Sequence, residues 1–110
     1  MEQLDKYSNP QIILNLTPHL VNIIDGKTFE SQGIVRLETI ITPCEDIAGI
    51  KTQKTEFLNP VGLPDQVDGV FLIVSQLVQS ACDRDDLLVP ADVVRNGKGM
   101  IVGCHALRRR

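Results

Sequence analysis

The stretch from Gly69 to Cys104 constrains the fold of this chain most strongly. Near its start, Val70 to Val74 form an apolar run with the length and composition of a buried strand. Ser75 follows at once and is a good helix N-cap, and helical spacing continues to about Cys82. A strand that leads directly into a helix points the first backbone N–H groups of that helix past the sheet edge. The sequence therefore predicts an anion-binding position at Ser75 and Gln76.

Short apolar or alternating runs, separated by Gly, Pro and Asn, predict strands through most of the remaining chain. Asn96 to Gly99 has the composition of a hairpin turn. Leu87 to Val89, followed by Pro90, is typical of an edge strand, because proline removes a ladder donor. Further strands are expected at 11–16, 20–24, 28–42 and 50–58, with 17–19 as a kink and 43–49 as a connection.

Alternation is clearest between Ile34 and Ile41. Arg36 and Glu38 fall on one side of the predicted strand, so the opposite side is the more apolar. We therefore expect the opposite side to face the core. It consists of Val35, Leu37, Thr39 and Ile41.

These patterns together predict an α+β, β-rich fold. We expect a single antiparallel sheet, arranged as a sandwich or half-barrel, with one or two short helices. Parallel crossover units would need more helix than the chain supplies. With 110 residues and 43% apolar content, the chain can build one core, which we assign to residues 11–110. Residues 1–10 are polar without an apolar period and are predicted to be a loose N-terminal arm.

Charge and cysteine usage exclude several classes of function. The net charge of −3 disfavours binding to a nucleic acid polymer, which needs a basic face. No apolar run is long enough for a membrane span, and the three cysteines form no C-x-x-C pattern, so we expect a cytoplasmic protein. No metal-ligand spacing and no complete cofactor signature occurs, and neither a metal nor a cofactor is assigned.

Asn15, Thr17 and His19 alternate just where the first strand ends. Convergent Asn, Thr and His side chains suit a ribose or a base edge, because neutral groups of this kind are held by hydrogen-bond donors and acceptors. The alternative is that Asn15 and Thr17 bond the backbone at the kink, while Pro18 only ends the strand.

Ser75, Arg84, Asp86 and Arg95 are the other candidate ligand-binding residues. Ser75 lacks the flanking glycines of a nucleophile elbow, so it is either a cap alone or a cap that also binds phosphate. Arg84 can form a forked pair with a phosphate or with Asp86, which would brace the turn. Arg95 is the second cation that can face an anion, although a solvated strand arginine is the commoner case.

Several motifs of the chain are specific in combination. They are Asn-Leu-Thr-Pro-His at 15–19, Gly-Leu-Pro at 62–64, Ile-Val-Ser-Gln-Leu-Val at 73–78, Arg-Asp-Asp-Leu-Leu-Val-Pro at 84–90, and the stretch that runs from Val-Arg at 94–95 to Gly-Cys at 103–104. In these motifs the chain resembles a family of small proteins from bacteriophages, prophages and bacteria. The resemblance implies a phage accessory protein that acts in the cytoplasm of a bacterial host cell. Accessory proteins of this size often antagonise bacterial defence, some by sequestering nucleotide second messengers.

Three functions agree with these features. The first is noncatalytic binding of a small phosphorylated, nucleotide-like ligand, as in phage anti-defence sequestration of a nucleotide-derived immune signal. The second is a protein inhibitor or adaptor that uses the edge of strand 50–58 for β-augmentation. The third is a small nucleotide-processing enzyme with His19 as its acid-base group. Noncatalytic binding is favoured and no catalytic residue is assigned. We also expect homo-oligomers, because a β-rich chain of this size has strand edges to cover.

Overall fold

The computed structural model of the protein describes residues 11–110. The loose arm predicted for residues 1–10 lies outside the described residues. Eight strands and one helix follow one another within residues 11–110. They are β1 (Ile12–Asn15), β2 (Val21–Asn22), β3 (Thr28–Phe29), β4 (Arg36–Ile47), β5 (Ile50–Val61), β6 (Val70–Ile73), α1 (Gln76–Ala81), β7 (Leu87–Arg95) and β8 (Ile101–Arg109).

A curled four-stranded sheet with the order β1-β6-β7-β8 forms the body of the molecule. The predicted β-rich α+β fold is confirmed. The prediction of a purely antiparallel sheet is wrong, since β1 pairs with β6 in parallel and β6 pairs with β7 in parallel. Only β7 and β8 are antiparallel within this sheet. The connection 74–86 is about the dozen residues that a parallel crossover needs, so the short α1 is enough helix for it.

Both faces of the four-stranded sheet are covered. Alternate residues of β6 point to opposite sides, so Leu72 contributes to one apolar cluster and Ile73 to another. The first cluster includes Val78 of α1, and the second includes Val21 of β2. A strand buried on both faces has a continuous apolar sequence, and this explains the unbroken apolar run at 70–74.

Helix α1 is tied to the sheet by a buried glutamine. The side-chain amide of Gln79 donates to the carbonyl oxygens of Leu87 and Arg108, each at 3.0 Å. These two bonds fix α1 against both strands of the β7–β8 hairpin. In the part of the chain that the structure describes, no helix has the length and apolarity needed to cross a membrane.

Strands β4 and β5 form a separate two-stranded antiparallel ribbon, which we call the ribbon. Each strand has 12 residues, which corresponds to a length of about 40 Å. The molecule measures 66 × 38 × 20 Å and its Cα radius of gyration is 17.9 Å, whereas a compact domain of this length has about 13 Å. The ribbon therefore projects from the body.

The ribbon differs from the sequence prediction in two ways. Residues 43–47, predicted as a connection, continue β4, and the chain turns only at Ala48 and Gly49, both of which have positive φ. Pro43 is tolerated because β4 pairs on one side only within residues 11–110. Of the predicted core face, Val35 and Leu37 pack in the first cluster, but Thr39 and Ile41 lie beyond the body and are exposed.

Gly62 allows the segment after β5 to pass close to the segment before β4, where the ribbon joins the body. Its φ is +87°, and a Cβ atom at this position would lie 2.8 Å from the carbonyl oxygen of Ile34. Only glycine fits this combination of backbone angle and close approach. The two segments that join the ribbon to the body therefore lie close together, whereas residues 39–58 contribute no side chain to either core cluster.

Candidate functional site

The parallel register of β1 and β6 brings two polar segments together. Asn15, the last residue of β1, lies beside Ile73, the last residue of β6. The carboxyl ends of both strands thus meet at one edge of the sheet, and the segments that follow them, residues 17–19 and 75–76, leave from that edge. In sheets with parallel strands, ligands commonly bind outside the carboxyl ends of the strands.

A cavity of about 720 Å³ opens at this edge. Ligand-binding cavities commonly have volumes of about 300–1,000 Å³, so this volume accommodates a small organic molecule. Four of the eight predicted ligand-binding residues line it, namely Thr17, His19, Ser75 and Gln76. The rest of the wall is mainly apolar. It includes Pro18, Leu20, Val21, Val74, Val89, Pro90, Val93, Ile101, Val102 and Cys104, together with Asn22 and Gly103.

Asn15 is buried beneath the cavity and does not line it. Its amide nitrogen donates to the carbonyl oxygens of His19 at 2.6 Å and Phe29 at 2.9 Å. Its Oδ1 accepts from the backbone N–H of Thr17 at 3.0 Å and from the Thr17 hydroxyl at 2.6 Å. These four bonds use the whole hydrogen-bonding capacity of the side chain. Asn15 therefore shapes the kink that carries His19 to the cavity, as the alternative interpretation of the sequence holds.

Ser75 caps α1, because its Oγ accepts from the backbone N–H of Val78 at 3.3 Å. This confirms the predicted N-cap. Ser75 and Gln76 are both exposed at the cavity wall. Since the Ser75 hydroxyl accepts this bond, its proton remains available for a group in the cavity.

Strand β7 forms the far wall of the cavity because it extends beyond β6. Its pairing with β6 is limited to Leu87 and Leu88, while its pairing with β8 continues to Arg95. The prediction of an edge strand at 87–90 is wrong, since β7 lies between β6 and β8. Pro90 is accommodated in β7 because β6 ends at Ile73, which pairs with Leu88, and so does not reach Pro90.

Gly103 lets the β2 segment approach β8 closely along the same wall. A Cβ atom at this position would lie 2.6 Å from Cδ1 of Ile24 and 2.9 Å from the carbonyl oxygen of Asn22. The amide nitrogen of Asn22 also donates to the carbonyl oxygen of Val102 at 3.1 Å. Sequence analysis missed this contact, because the glycine lies within an apolar strand pattern and its partner is far away in the chain.

Arg84 is engaged with internal partners away from the cavity. Its Nε and Nη2 donate to the two carboxylate oxygens of Asp86 at 2.9 and 2.6 Å, and its Nη1 donates to the carbonyl oxygen of Pro64 at 2.7 Å. The hydrogen bonds that Arg84 donates to Asp86 raise the pKa of the Arg84 guanidinium, so Arg84 stays charged. Asp86 itself is buried. The geometry is that of the braced turn, one of the two interpretations of this segment.

Arg95 lies at the outer end of the β7–β8 hairpin. Its Nη1 donates to the carbonyl oxygen of Gly99 at 2.8 Å. Its pairing partner in β8 is Ile101, which lines the cavity, so Arg95 is next to the wall without belonging to it. The confirmed hairpin turn is closed by Asn96, whose Oδ1 accepts from the backbone N–H groups of Lys98 and Met100.

The structure thus unites the polar residues after β1 and β6 but does not bring Arg84, Asp86 and Arg95 to them. Within residues 11–110, no lysine or arginine lines the cavity. Among the described residues, no three His, Cys, Asp or Glu side chains are grouped to hold a metal ion. Comparisons with family models, curated proteins and solved structures gave no match to this chain.

Proposed function

We propose that the protein is a noncatalytic binder of a small nucleotide-like molecule, with the nucleoside part in the 720 Å³ cavity. The observation that carries the proposal is the in-register parallel pairing of β1 and β6, because it brings Thr17, His19, Ser75 and Gln76 to one cavity. The alternatives for these residues, a bonded kink and a helix cap, are compatible with binding. Ser75 and Gln76 have exposed polar groups at the cavity wall, and the Thr17 hydroxyl, whose proton is donated to Asn15 Oδ1, can still accept a hydrogen bond there.

The chemistry of the wall fits a ligand with both an apolar face and polar edges. Proline, leucine and valine side chains can contact the faces of a base, while hydroxyl, amide and imidazole groups bond its edges or a ribose. A multiply charged phosphate would be poorly held inside such a wall, because burying an unpaired charge is costly. We therefore assign the phosphate to the rim, where the remaining N–H groups of Arg95 have no partner among the described residues.

The resemblance to phage and prophage proteins gives this binding a biological role. In that role the protein sequesters a nucleotide-derived immune signal in the cytoplasm of the bacterial host. Sequestration requires a dissociation constant near the nanomolar range, about −12 kcal/mol. An affinity of that size needs deep burial of the ligand, which a cavity provides better than a flat surface.

The test is thermal unfolding of the purified chain with a panel of adenosine, adenosine monophosphate and ADP-ribose. A ligand present at 100 times its dissociation constant stabilises the native state by about 2.7 kcal/mol, so we expect Tm to rise by roughly 5–15 °C with at least one compound. His19→Ala should abolish most of this rise. His105→Ala is the matched control, since His105 is exposed on β8 and does not line the cavity.

The role of the rim is tested with Arg95→Ala. This variant should weaken binding of the phosphorylated compounds at least tenfold and leave adenosine binding unchanged, while Arg108→Ala, on the exposed part of β8, should change neither. The proposal is overturned if no compound shifts Tm, or if His19→Ala and His105→Ala weaken binding equally.

A protein inhibitor or adaptor is the second candidate, favoured by one observation. Strand β5 pairs only with β4 within residues 11–110, so its outer edge is open to a further strand. The two functions are distinguished by extracting the protein from infected cells. A bound small molecule would support ligand binding, and a stoichiometric protein chain would support the inhibitor or adaptor. For the enzyme alternative, nothing among the described residues around His19 favours an acid-base role.

A further inference from the structure

We infer that Asn22 makes the cavity selective for adenine, an inference that rests on the proposed binding of a nucleotide-like ligand. Asn22 lies in β2 and lines the cavity, although it is not among the residues that the sequence predicts to bind a ligand. Its side chain is half-buried, and it can both donate and accept hydrogen bonds. A group of this kind can distinguish one base from another, because bases differ in the order of donors and acceptors along their edges.

The orientation of the Asn22 carboxamide is fixed by partners on two neighbouring strands. Its amide nitrogen donates to the carbonyl oxygen of Val102 at 3.1 Å, and its Oδ1 accepts from the Thr28 hydroxyl at 3.4 Å. The nitrogen must face Val102, because a carbonyl oxygen can only accept. The carboxamide therefore cannot turn over without losing this bond. One N–H group and one acceptor position of Asn22 remain for a ligand, in a fixed order.

The other polar residues of the wall leave the choice of base to the carboxamides. Arginine and lysine pair with guanine, aspartate and glutamate pair with the amino group of cytosine, and asparagine and glutamine pair with the amino group and a ring nitrogen of adenine. In the described part of the chain, no Lys, Arg, Asp or Glu side chain lines the cavity, whereas Asn22 and Gln76 do. Gln76 is exposed, so its carboxamide can turn to suit either order of donor and acceptor. Asn22 is therefore the residue that discriminates.

The apolar part of the wall favours adenine over guanine and uracil, which a carboxamide can also bond. Guanine has two exocyclic polar groups and adenine has one, and each polar group left without a partner in a mainly apolar wall weakens binding. Uracil has a single ring, so it buries less apolar area than a purine with two fused rings. Adenine combines the larger ring system with fewer polar groups. The apolar wall and Asn22 thus favour the same base.

Four nucleotides that share the ribose and the phosphate test the inference, namely the monophosphates of adenosine, inosine, guanosine and uridine. Isothermal titration calorimetry with the purified chain measures their affinities. A bidentate contact discriminates between bases by roughly 5- to 150-fold, so we expect adenosine monophosphate to bind at least about tenfold more tightly than the other three. Inosine monophosphate is the sharpest comparison. It has an oxygen in place of the adenine amino group, and the fixed Asn22 carboxamide cannot turn to donate to it.

A change at Asn22 separates reading of the base from support of the wall. Asn22→Ala should reduce the preference for adenosine monophosphate over inosine monophosphate to less than about threefold. Loosening of β2 alone would weaken both nucleotides alike and leave their ratio unchanged. Thr28→Val is the matched control, since it removes a weak bond to Asn22 from the paired strand but keeps the carboxamide and its bond to Val102. This control should retain the preference.

Circular dichroism checks that both variants are folded. If Asn22→Ala is misfolded, the wild-type chain is tested with an analogue of adenosine monophosphate that has a dimethylamino group in place of the amino group. This analogue has no amino hydrogen to donate, so it should bind at least about tenfold more weakly than adenosine monophosphate. An analogue that binds equally well would rule out the contact.

The inference is overturned, while the proposed function stands, if the four nucleotides bind the wild-type chain with affinities within about threefold of one another. It is also overturned if Asn22→Ala retains the preference for adenosine monophosphate, or if Thr28→Val loses it to the same extent. If none of the nucleotides binds, the proposed function itself fails, and the inference fails with it.

Discussion

Asn15 shows at the scale of one residue how a polar side chain in an apolar strand can act through its neighbours. It is buried and forms four hydrogen bonds, all of them to residues 17, 19 and 29. Because these bonds fix the backbone on both sides of Pro18, they determine where His19 lies. Asn15 is thus a positioning residue for the proposed site, whereas Thr17 and His19 line the cavity itself.

Asn15→Ala should lower the free energy of unfolding by about 2–4 kcal/mol, because it leaves two carbonyl groups and an N–H group, all partly buried, without partners. Urea denaturation followed by circular dichroism measures the change. Asn59→Ala, at an exposed position of β5, is the control and should change stability by less than about 0.5 kcal/mol. Equal stability of the two variants would show that the kink does not depend on the Asn15 amide.

The elements of the body are joined by a small number of long-range polar contacts. Gln79 links α1 to β7 and β8. Arg84 braces the turn after α1 through Asp86 and links this turn to the loop before β6 through the carbonyl oxygen of Pro64. The forked hydrogen bonds to Asp86 are the main reason why the pKa of Arg84 is raised. Because the pKa of Arg84 is raised, the guanidinium contributes fully to stability below its ordinary pKa and stops contributing only as the pH rises through the raised value, so Arg84 does not lose its proton near neutral pH.

Arg84→Ala should therefore act on stability, in contrast to the phosphate-binding interpretation, which expects little loss of fold. The buried Asp86 carboxylate would lose its partner, and we expect a loss of about 3–5 kcal/mol in the free energy of unfolding, measured in urea. Arg36→Ala, on an exposed side chain of β4, serves as the control with little change expected. An Arg84→Ala protein as stable as the wild type would rule out the bracing role.

At the scale of the whole molecule, the chain consists of a body with two apolar clusters and a ribbon that belongs to neither. Residues 39–58 of the ribbon contribute no side chain to either cluster, although Leu37 at its base does. The body should therefore fold without the ribbon. This division explains why the molecule is far longer than a compact domain of 110 residues.

Replacing residues 39–58 by an Asn-Gly turn should change the free energy of unfolding of the body by less than about 1 kcal/mol at low protein concentration, because no core contact is lost. Leu37→Ala should cost about 1–3 kcal/mol, since Leu37 packs in the core. Urea denaturation compares the two variants. If the shortened chain fails to fold, the division into body and ribbon is incorrect.

Local signals in the sequence predicted much of the secondary structure. The apolar run at 70–74, the Ser75 cap and the Asn96–Gly99 turn each depend on neighbouring residues, and the structure confirms all three. The candidate residues after β1 and β6 were recognised for the same reason. Polar side chains where an apolar strand ends can be seen in the sequence alone.

Only the tertiary structure decided how these segments meet. Parallel pairing of β1 with β6 joins residues far apart in the chain, and no local pattern distinguishes it from antiparallel pairing. The alternation from Val35 to Ile41 was correctly assigned to one face, but its outer half is exposed because the strand is longer than the body that it packs on. Periodicity depends on backbone geometry and so is present in the sequence. Strand direction, and whether a face is covered, depend on contacts between distant segments.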